Sequence, residues 1–368
     1  MKTIVVSAVN LVEAGTLAIL KDCLSFLSGV ASGGEYRVVA VVYKRELADY
    51  PGIEYIETQW PKKRWVNRLW FEYVSMKKIS KDIGPVYLWF SLHDTSPSVV
   101  AERRAVYCHN SFSFYKWKMH DWVFAPKIAL FALFTKFIYQ TNIKKNTFLV
   151  VQQEWFRKAL ANMFALPEEK IIVAPPQMKL DNLQPHQSGH LGKYSFIYAA
   201  SPNSHKNFEC ICQAVEILME KYGLHDFRVR ITVKGDENKY ARWLYKNWGE
   251  KYTNLEFTGF LSKQRLNELY DESSCLIFSS KVETWGLPIS EFATYQKPML
   301  LADLPYAHET AAGASMVAYF HPDRPEQLAE QMLALIKGDF SALQAVPRME
   351  YKEPFARDWQ ELFNRLLG

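Results

Sequence analysis

The chain has 368 residues, 49% of them hydrophobic and 23% charged, with a formal net charge of +5. That length exceeds one ordinary hydrophobic core and predicts two domains, and the composition excludes a disordered chain. Five scattered cysteines (Cys23, Cys108, Cys210, Cys212, Cys275) form no Cys-x-x-Cys pair, which excludes a zinc or disulfide framework and fits a reducing cytoplasm.

The opening run Met1 to Val9 reads as a first β-strand, too short for a signal peptide and lacking its cleavage site. A cytoplasmic location is therefore expected. Apolar strand-length runs follow at Tyr36–Val42, Val86–Phe90, Ala105–Cys108, Phe148–Val151 and Ile171–Ala174, with helices predicted over Gly15–Phe26, Val66–Lys81 and Glu154–Phe164. This alternation predicts a parallel α/β sheet. Leu180–Lys193 has linker composition, and a second series then begins. Its strands are Tyr194–Ala199, Phe227–Lys234, Leu255–Thr258, Ser274–Phe278, Pro298–Ala302 and Met316–Phe320. Its helices are Asn207–Tyr222, Asn238–Trp248, one capped by Ser262, and Pro325–Lys337. The tail Phe355–Leu367 reads as an amphipathic helix.

Charge is uneven. The first 175 residues hold 23 Lys and Arg against 15 Asp and Glu, whereas the rest hold 21 against 24. The basic half points to an acidic surface or acceptor. Within it, Lys62 to Phe71 and on to Lys81 interleaves cations with Trp, Phe and Tyr, either a solvated amphipathic face or a membrane-docking one. The apolar run Trp122 to Tyr139 is interrupted by Pro126, Lys127 and Lys136, so it is expected to be buried or interfacial rather than spanning. No nucleic-acid-binding module is present, and nucleic acid is not an expected partner.

The stretch that carries chemistry is Ser279 to Glu291. It reads as strand, loop and helix start, with Pro288 at the first helical position, Gly286 ahead of it and a carboxylate on each side, Glu283 and Glu291. Either glutamate alone is an ordinary dipole partner of a helix end. Together they flank a cradle suited to phosphate, with hydroxyl-rich rings on both sides. The string Glu283-Thr-Trp-Gly-Leu-Pro-Ile-Ser-Glu291 resembles the E-x7-E signature of the family 4 retaining glycosyltransferases. Thr284-Trp285 stands where the family has Gly-Phe. A second feature, the polar loop ending in Lys206-Asn207 after Tyr194–Ala199, resembles the same family. Its usual upstream arginine is missing; Ala199-Ala200-Ser201 stands there, so another cation, or Ser201 with backbone N–H groups, takes its part.

The resemblance implies a GT-B architecture: two Rossmann-like doubly wound α/β domains facing each other across a cleft. The expected boundaries are 1–185 for the acceptor domain, 186–345 for the sugar-nucleotide domain and 346–368 for a helix crossing back to the first. It also implies a retaining hexosyltransferase without metal or other cofactor, using a nucleoside-diphosphate sugar. Glu283 would contact the transferring sugar and Glu291 the ribose. Lys206 and the N–H groups around Gly286 and Leu287 would hold the diphosphate, with Ser201, Thr284 and Trp285 lining the donor. In the first domain only Gly15 remains of a family Gly-Gly pair, where the loop would lie against donor phosphate. His109, at a strand's C-terminal rim, is either a hydrogen-bonded strand-end residue or a group orienting sugar or acceptor; His93-Asp94 is a second candidate there. The run Arg104 to Tyr115 resembles transferases of O-antigen and capsule assembly, which implies a lipid-linked oligosaccharide acceptor and a peripheral position on the inner face of the cytoplasmic membrane. A sugar-nucleotide epimerase and a non-catalytic membrane-docked subunit are the alternatives.

Overall fold

The computed structural model describes residues 1–176 and 193–368, which leaves the expected linker and domain boundary outside the described residues. The chain divides into two compact units. The first holds residues 1–113, 133–177 and 351–368; the second holds 114–132 and 178–350.

In the first unit seven parallel strands lie in the order β3-β2-β1-β4-β5-β6-β7. They are β1 (Lys2–Ser7), β2 (Tyr36–Val42), β3 (Ile53–Glu57), β4 (Leu88–Ser91), β5 (Arg103–Tyr107), β6 (Phe148–Val151) and β7 (Ile171–Val173). Alternation along each strand divides the core between the two faces of the sheet. Ile4, Val6, Val38 and Ala40 pack with Leu20, Leu24 and Leu27 of the helix Ala14–Ser32 and with Phe363 and Leu366 of the final helix. Val5, Val39, Val41 and Trp89 pack on the other side with Phe71 and Met76. Both faces are covered, which is why these strands read as unbroken apolar runs.

One strand, β3, is not legible in the sequence. It lies at the sheet edge with only Ile53 buried, and its Glu54 bonds Arg37 at 2.7 and 2.8 Å. A solvated edge needs no apolar run. The helix expected over Val66–Lys81 is interrupted by a π-helical turn, Phe71–Ser75, and that over Asn238–Trp248 by another, Tyr245–Gly249. π turns of this kind occur as single-turn insertions within α-helices.

The second unit carries six parallel strands in the order β10-β9-β8-β11-β12-β13. They are β8 (Tyr194–Tyr198), β9 (Phe227–Ile231), β10 (Leu255–Phe257), β11 (Cys275–Phe278), β12 (Met299–Ala302) and β13 (Val317–Phe320). Both sheets are thus Rossmann-like and doubly wound, as expected.

Two segments belong to a unit that is not their sequence neighbour. Residues 114–132, expected in the first domain, group with the second. The reason is an aromatic cluster: the Phe124 ring lies 5.1 Å from that of Trp243 and 5.5 Å from that of Tyr240, and Lys118 pairs with Asp323 at 2.5 Å. Residues 351–368 group with the first unit. There Val173 donates to the Pro354 carbonyl and Ala356 donates to that of Val173, so the tail adds to β7 before forming the helix Trp359–Leu367, shorter than expected.

The apolar run Trp122 to Tyr139 is split between the helices Met119–Phe124 and Pro126–Gln140. Leu130, Leu133, Phe134 and Phe137 are exposed on the second. No helix among the described residues is long and apolar enough to cross a membrane.

Candidate active site

In a parallel sheet, ligands collect beyond the strand C-termini where the strand order reverses direction. In the second unit that point lies between β8 and β11, neighbours in the sheet although distant in sequence. The loop after β8 carries Ser201 and Lys206, and the loop after β11 carries Glu283, Thr284 and Trp285. The topology therefore brings together what the sequence holds 77 residues apart: Lys206 Nζ is ion-paired directly with Glu283 Oε1, each side chain 15% exposed. The expectation was a lysine facing the helix end. The structure gives it a carboxylate partner instead.

The two loops are fastened beneath this pair. Tyr198 donates to the Lys206 carbonyl at 2.6 Å, and Ser279 donates to the Asn207 carbonyl at 3.0 Å. Asn207 adopts a left-handed backbone (φ 60°), which asparagine tolerates better than most residues. Its amide reaches back to the carbonyls of Ser279 (3.2 Å) and Pro322 (2.7 Å). Gly286 sits at φ 90°, where a side chain is strained, and turns the chain into the helix Leu287–Ala293. Trp285 donates its indole N–H to Ser290 at 2.7 Å, and Tyr306 donates to the Ser280 carbonyl at 2.6 Å. Tyr198 and Tyr306 have no mark of this contact in the sequence, because one is a buried strand residue and the other stands on a distant helix.

Glu291 lies apart from the Lys206 pair and is held by Lys263 Nζ at 2.5 Å. Ser201 is exposed on its loop, bonded by Asn203 at 2.9 Å. Leu287 is 37% exposed at the helix start. No group of acidic, histidine and cysteine side chains among the described residues is arranged to hold a metal ion.

In the first unit the corresponding reversal lies between β1 and β4. Gly15 falls in the first turn of Ala14–Ser32, which begins beyond β1, and is exposed. His109 follows β5 and packs against Tyr107 in a tilted contact, with ring centres 4.2 Å apart. Burial holds its imidazole below the usual histidine range, partly offset by Asp94 and the Leu92 carbonyl. Beside it Glu72 Oε1 lies 3.1 Å from His93 Nδ1, both side chains buried. Burial pushes the Glu72 carboxyl up to about 8, against the pull of Arg68 and Thr95. Burial, then Arg68, push His93 down to about 3, with His109 adding to the effect.

These directions set a stability profile. Below roughly pH 6.5 the unfolded histidine takes up a proton that folded His93 refuses, so its contribution to stability is lost as pH falls. Above pH ~4.3 the unfolded glutamate loses a proton that folded Glu72 keeps until about 8, so its contribution falls as pH rises. Between those limits the two oppose each other, and above roughly 6.5 only the glutamate acts. The melting temperature is thus expected to fall from pH 6.5 to 8, and Glu72→Gln to flatten that decline; an unchanged slope in the variant would contradict the assignment.

The family model described as Glycosyl transferases group 1 matches residues 182–351. Over these residues the chain is similar to the group 1 glycosyl transferases. Solved structures extend the fold to the whole chain. The sucrose-phosphate synthase of Thermosynechococcus elongatus aligns at a TM-score of 0.67 and 12% identity, covering 93% of this chain and 91% of that one. A glycosyltransferase from Rickettsia africae ESF-5 aligns at 0.64 and 16%, covering 91% and 88%. WaaG, a glycosyltransferase involved in lipopolysaccharide biosynthesis, aligns at 0.61 and 14%, covering 92% and 93%. No curated protein sequence matches the chain. With these likenesses the two Rossmann-like units are those of the GT-B fold. Lys206, Glu283, Gly286 and Glu291 all lie inside the matched residues, as does the sheet reversal between β8 and β11.

Proposed function

We propose that the protein is a retaining glycosyltransferase that moves a hexose from a nucleoside-diphosphate sugar to a glycan hydroxyl. The observation that carries this reading is the preformed Lys206–Glu283 pair at the sheet reversal inside the residues similar to the group 1 glycosyl transferases. A donor diphosphate competes with Glu283 for the lysine, leaving the carboxylate beside the sugar. There it stabilises the positive charge of an oxocarbenium-like transition state, while Lys206 and the N–H groups around Gly286 and Leu287 take up the charge of the leaving diphosphate. This division assigns the leaving group to protein groups rather than to a metal. Glu291 exchanges Lys263 for ribose hydroxyls, Ser201, Thr284 and Trp285 line the donor, and Gly15 and His109 serve the first unit's side of the reaction, His109 orienting sugar or acceptor. With retention, the leaving phosphate oxygen can accept the acceptor's proton.

The proposed acceptor is a lipid-linked oligosaccharide of O-antigen or capsule type, met at the inner face of the cytoplasmic membrane. Trp65, Val66, Leu69, Trp70 and Val74 are exposed on one stretch of helix. Lys62, Lys63, Arg64, Lys77, Lys78 and Lys81 around them are exposed too. Cations near an anionic bilayer each contribute about 1 kcal/mol. Wild-type protein is accordingly expected to sediment with phosphatidylglycerol vesicles and Trp65→Ser/Trp70→Ser to remain in the supernatant; equal binding by both would remove this surface from the reading. The transfer itself is tested by incubation with candidate sugar nucleotides and a lipid-linked oligosaccharide, followed by mass spectrometry. Gain of one hexose by the acceptor supports it. Conversion of the donor sugar without transfer identifies an epimerase instead.

A further inference from the structure

The exits of β4 and β5 hold buried polar side chains that the donor chemistry does not use. Glu72 is 1% exposed and stands in the π-helical turn Phe71–Ser75. That geometry is rare and tends to mark functional sites. Its carboxyl group reaches His93 Nδ1, and Thr95 Oγ1 lies 3.0 Å from the same nitrogen. Arg68, one turn earlier, donates to the His93 carbonyl at 3.2 Å. The turn after β4 is thereby pinned to the helix beneath it.

The next residue pins the same turn to its neighbour. Asp94 has φ 66°, in the left-handed region. Its Oδ1 accepts the backbone N–H groups of both His109 and Asn110, the latter at 3.0 Å. Tyr139 closes the other side with a 3.4 Å contact to the Asn110 carbonyl. His109 therefore has a fixed backbone, whereas neither of its buried ring nitrogens makes a well-formed hydrogen bond. A turn cap alone would explain the backbone bonds. It does not explain a buried imidazole that has the pull of the Leu92 carbonyl but no well-formed hydrogen bond, or the buried pair backing it.

We propose that Asp94, backed by the Glu72–His93 pair, is a positioning residue that sets the place of the His109 ring for sugar transfer. The proposal rests on the reading of His109 as a group that orients sugar or acceptor. Asparagine separates a positioning role from bulk destabilisation: its amide oxygen still accepts both N–H groups, and it tolerates the left-handed backbone. Alanine does neither.

The test combines steady-state kinetics with NMR of the His109 imidazole, assigned with His109→Gln. Asp94→Ala is expected to lower kcat about tenfold or more with little change in donor KM, and to shift or broaden the His109 ring signals. Asp94→Asn is expected to recover most of kcat while moving the His109 titration further down, since the lost carboxylate had favoured the protonated ring. Glu72→Leu should perturb the His109 ring in the same direction as Asp94→Ala, and Glu72→Gln should not; this pair decides if Asp94→Ala fails to fold. Wild-type kcat in Asp94→Ala, or an unchanged His109 signal in it or in Glu72→Leu, would overturn the proposal. If the wild type transfers no sugar, the functional reading fails, and the ring signals alone judge the positioning network.

Discussion

Replacing Lys206 with alanine is expected to lower kcat/KM for transfer by about 10²-fold or more, and Glu283→Gln to lower kcat on the same scale. The two losses should differ in kind. Lys206 carries the only positive charge in the loop between β8 and the helix Phe208–Glu220. In the proposed site it meets the diphosphate both in the ground state and as charge develops, so its removal weakens nucleotide binding as well as turnover. Glu283 acts on the sugar and competes for the lysine, so the glutamine variant should bind the nucleoside diphosphate at least as tightly as the wild type and lose turnover. A bare structural latch predicts otherwise. In that case both variants lower the melting temperature through the lost ion pair, the double variant does no further harm, and folded protein retains full activity.

The largest effect on stability is expected at Arg157, which is fully buried in the helix Glu154–Phe164. Its guanidinium is ion-paired with Glu154 and donates to the carbonyls of Lys352 (3.1 Å) and Pro354 (3.3 Å). It is thus one of the groups that hold the returning tail beside β7. Arg157→Ala removes one partner of a buried ion pair and leaves Glu154 with weaker contacts such as Lys158 at 3.9 Å, a change that costs up to about 3–5 kcal/mol. The tail, losing two acceptor contacts with it, should become protease-sensitive around Tyr351 to Arg357. Replacing both partners, as Glu154→Leu/Arg157→Met, removes the buried charge that has lost its guanidinium and should be milder. Denaturant midpoints with unchanged m-values would measure the difference. Equal losses in the single and double variants would mean that packing, not the charge pair, sets the cost.

What the sequence discloses here is local. Glu283, Gly286 and Pro288 lie within six residues of one another, and each has a backbone or dipole reason for its place, so loop and helix start are legible without a fold. Unbroken apolar runs disclose the central strands, because both faces of each sheet are covered. What it does not disclose is long-range. The pairing of Lys206 with Glu283 follows from β8 lying beside β11, and no spacing encodes that neighbour relation. The same holds for Lys263 on Glu291 and for Asp94 beneath the backbone of His109. Residues 114–132 read as part of the first unit because chain order is all a sequence offers. Their place is decided by Phe124 and His120 meeting Tyr240 and Trp243, more than a hundred residues on. The strand β3 escapes for the opposite reason, since an exposed edge has no pattern to keep.

The central claim is that the Lys206–Glu283 pair is a donor site, and titration calorimetry with a panel of nucleoside diphosphates and their hexose conjugates tests it most directly. One nucleotide of the panel should bind the wild type, Lys206→Ala should weaken both it and its sugar conjugate, and Glu283→Gln should bind the nucleoside diphosphate at least as tightly while losing any added affinity for the sugar. A wild type that binds no member of the panel, or a Lys206→Ala variant that binds as tightly as the wild type, would contradict the claim.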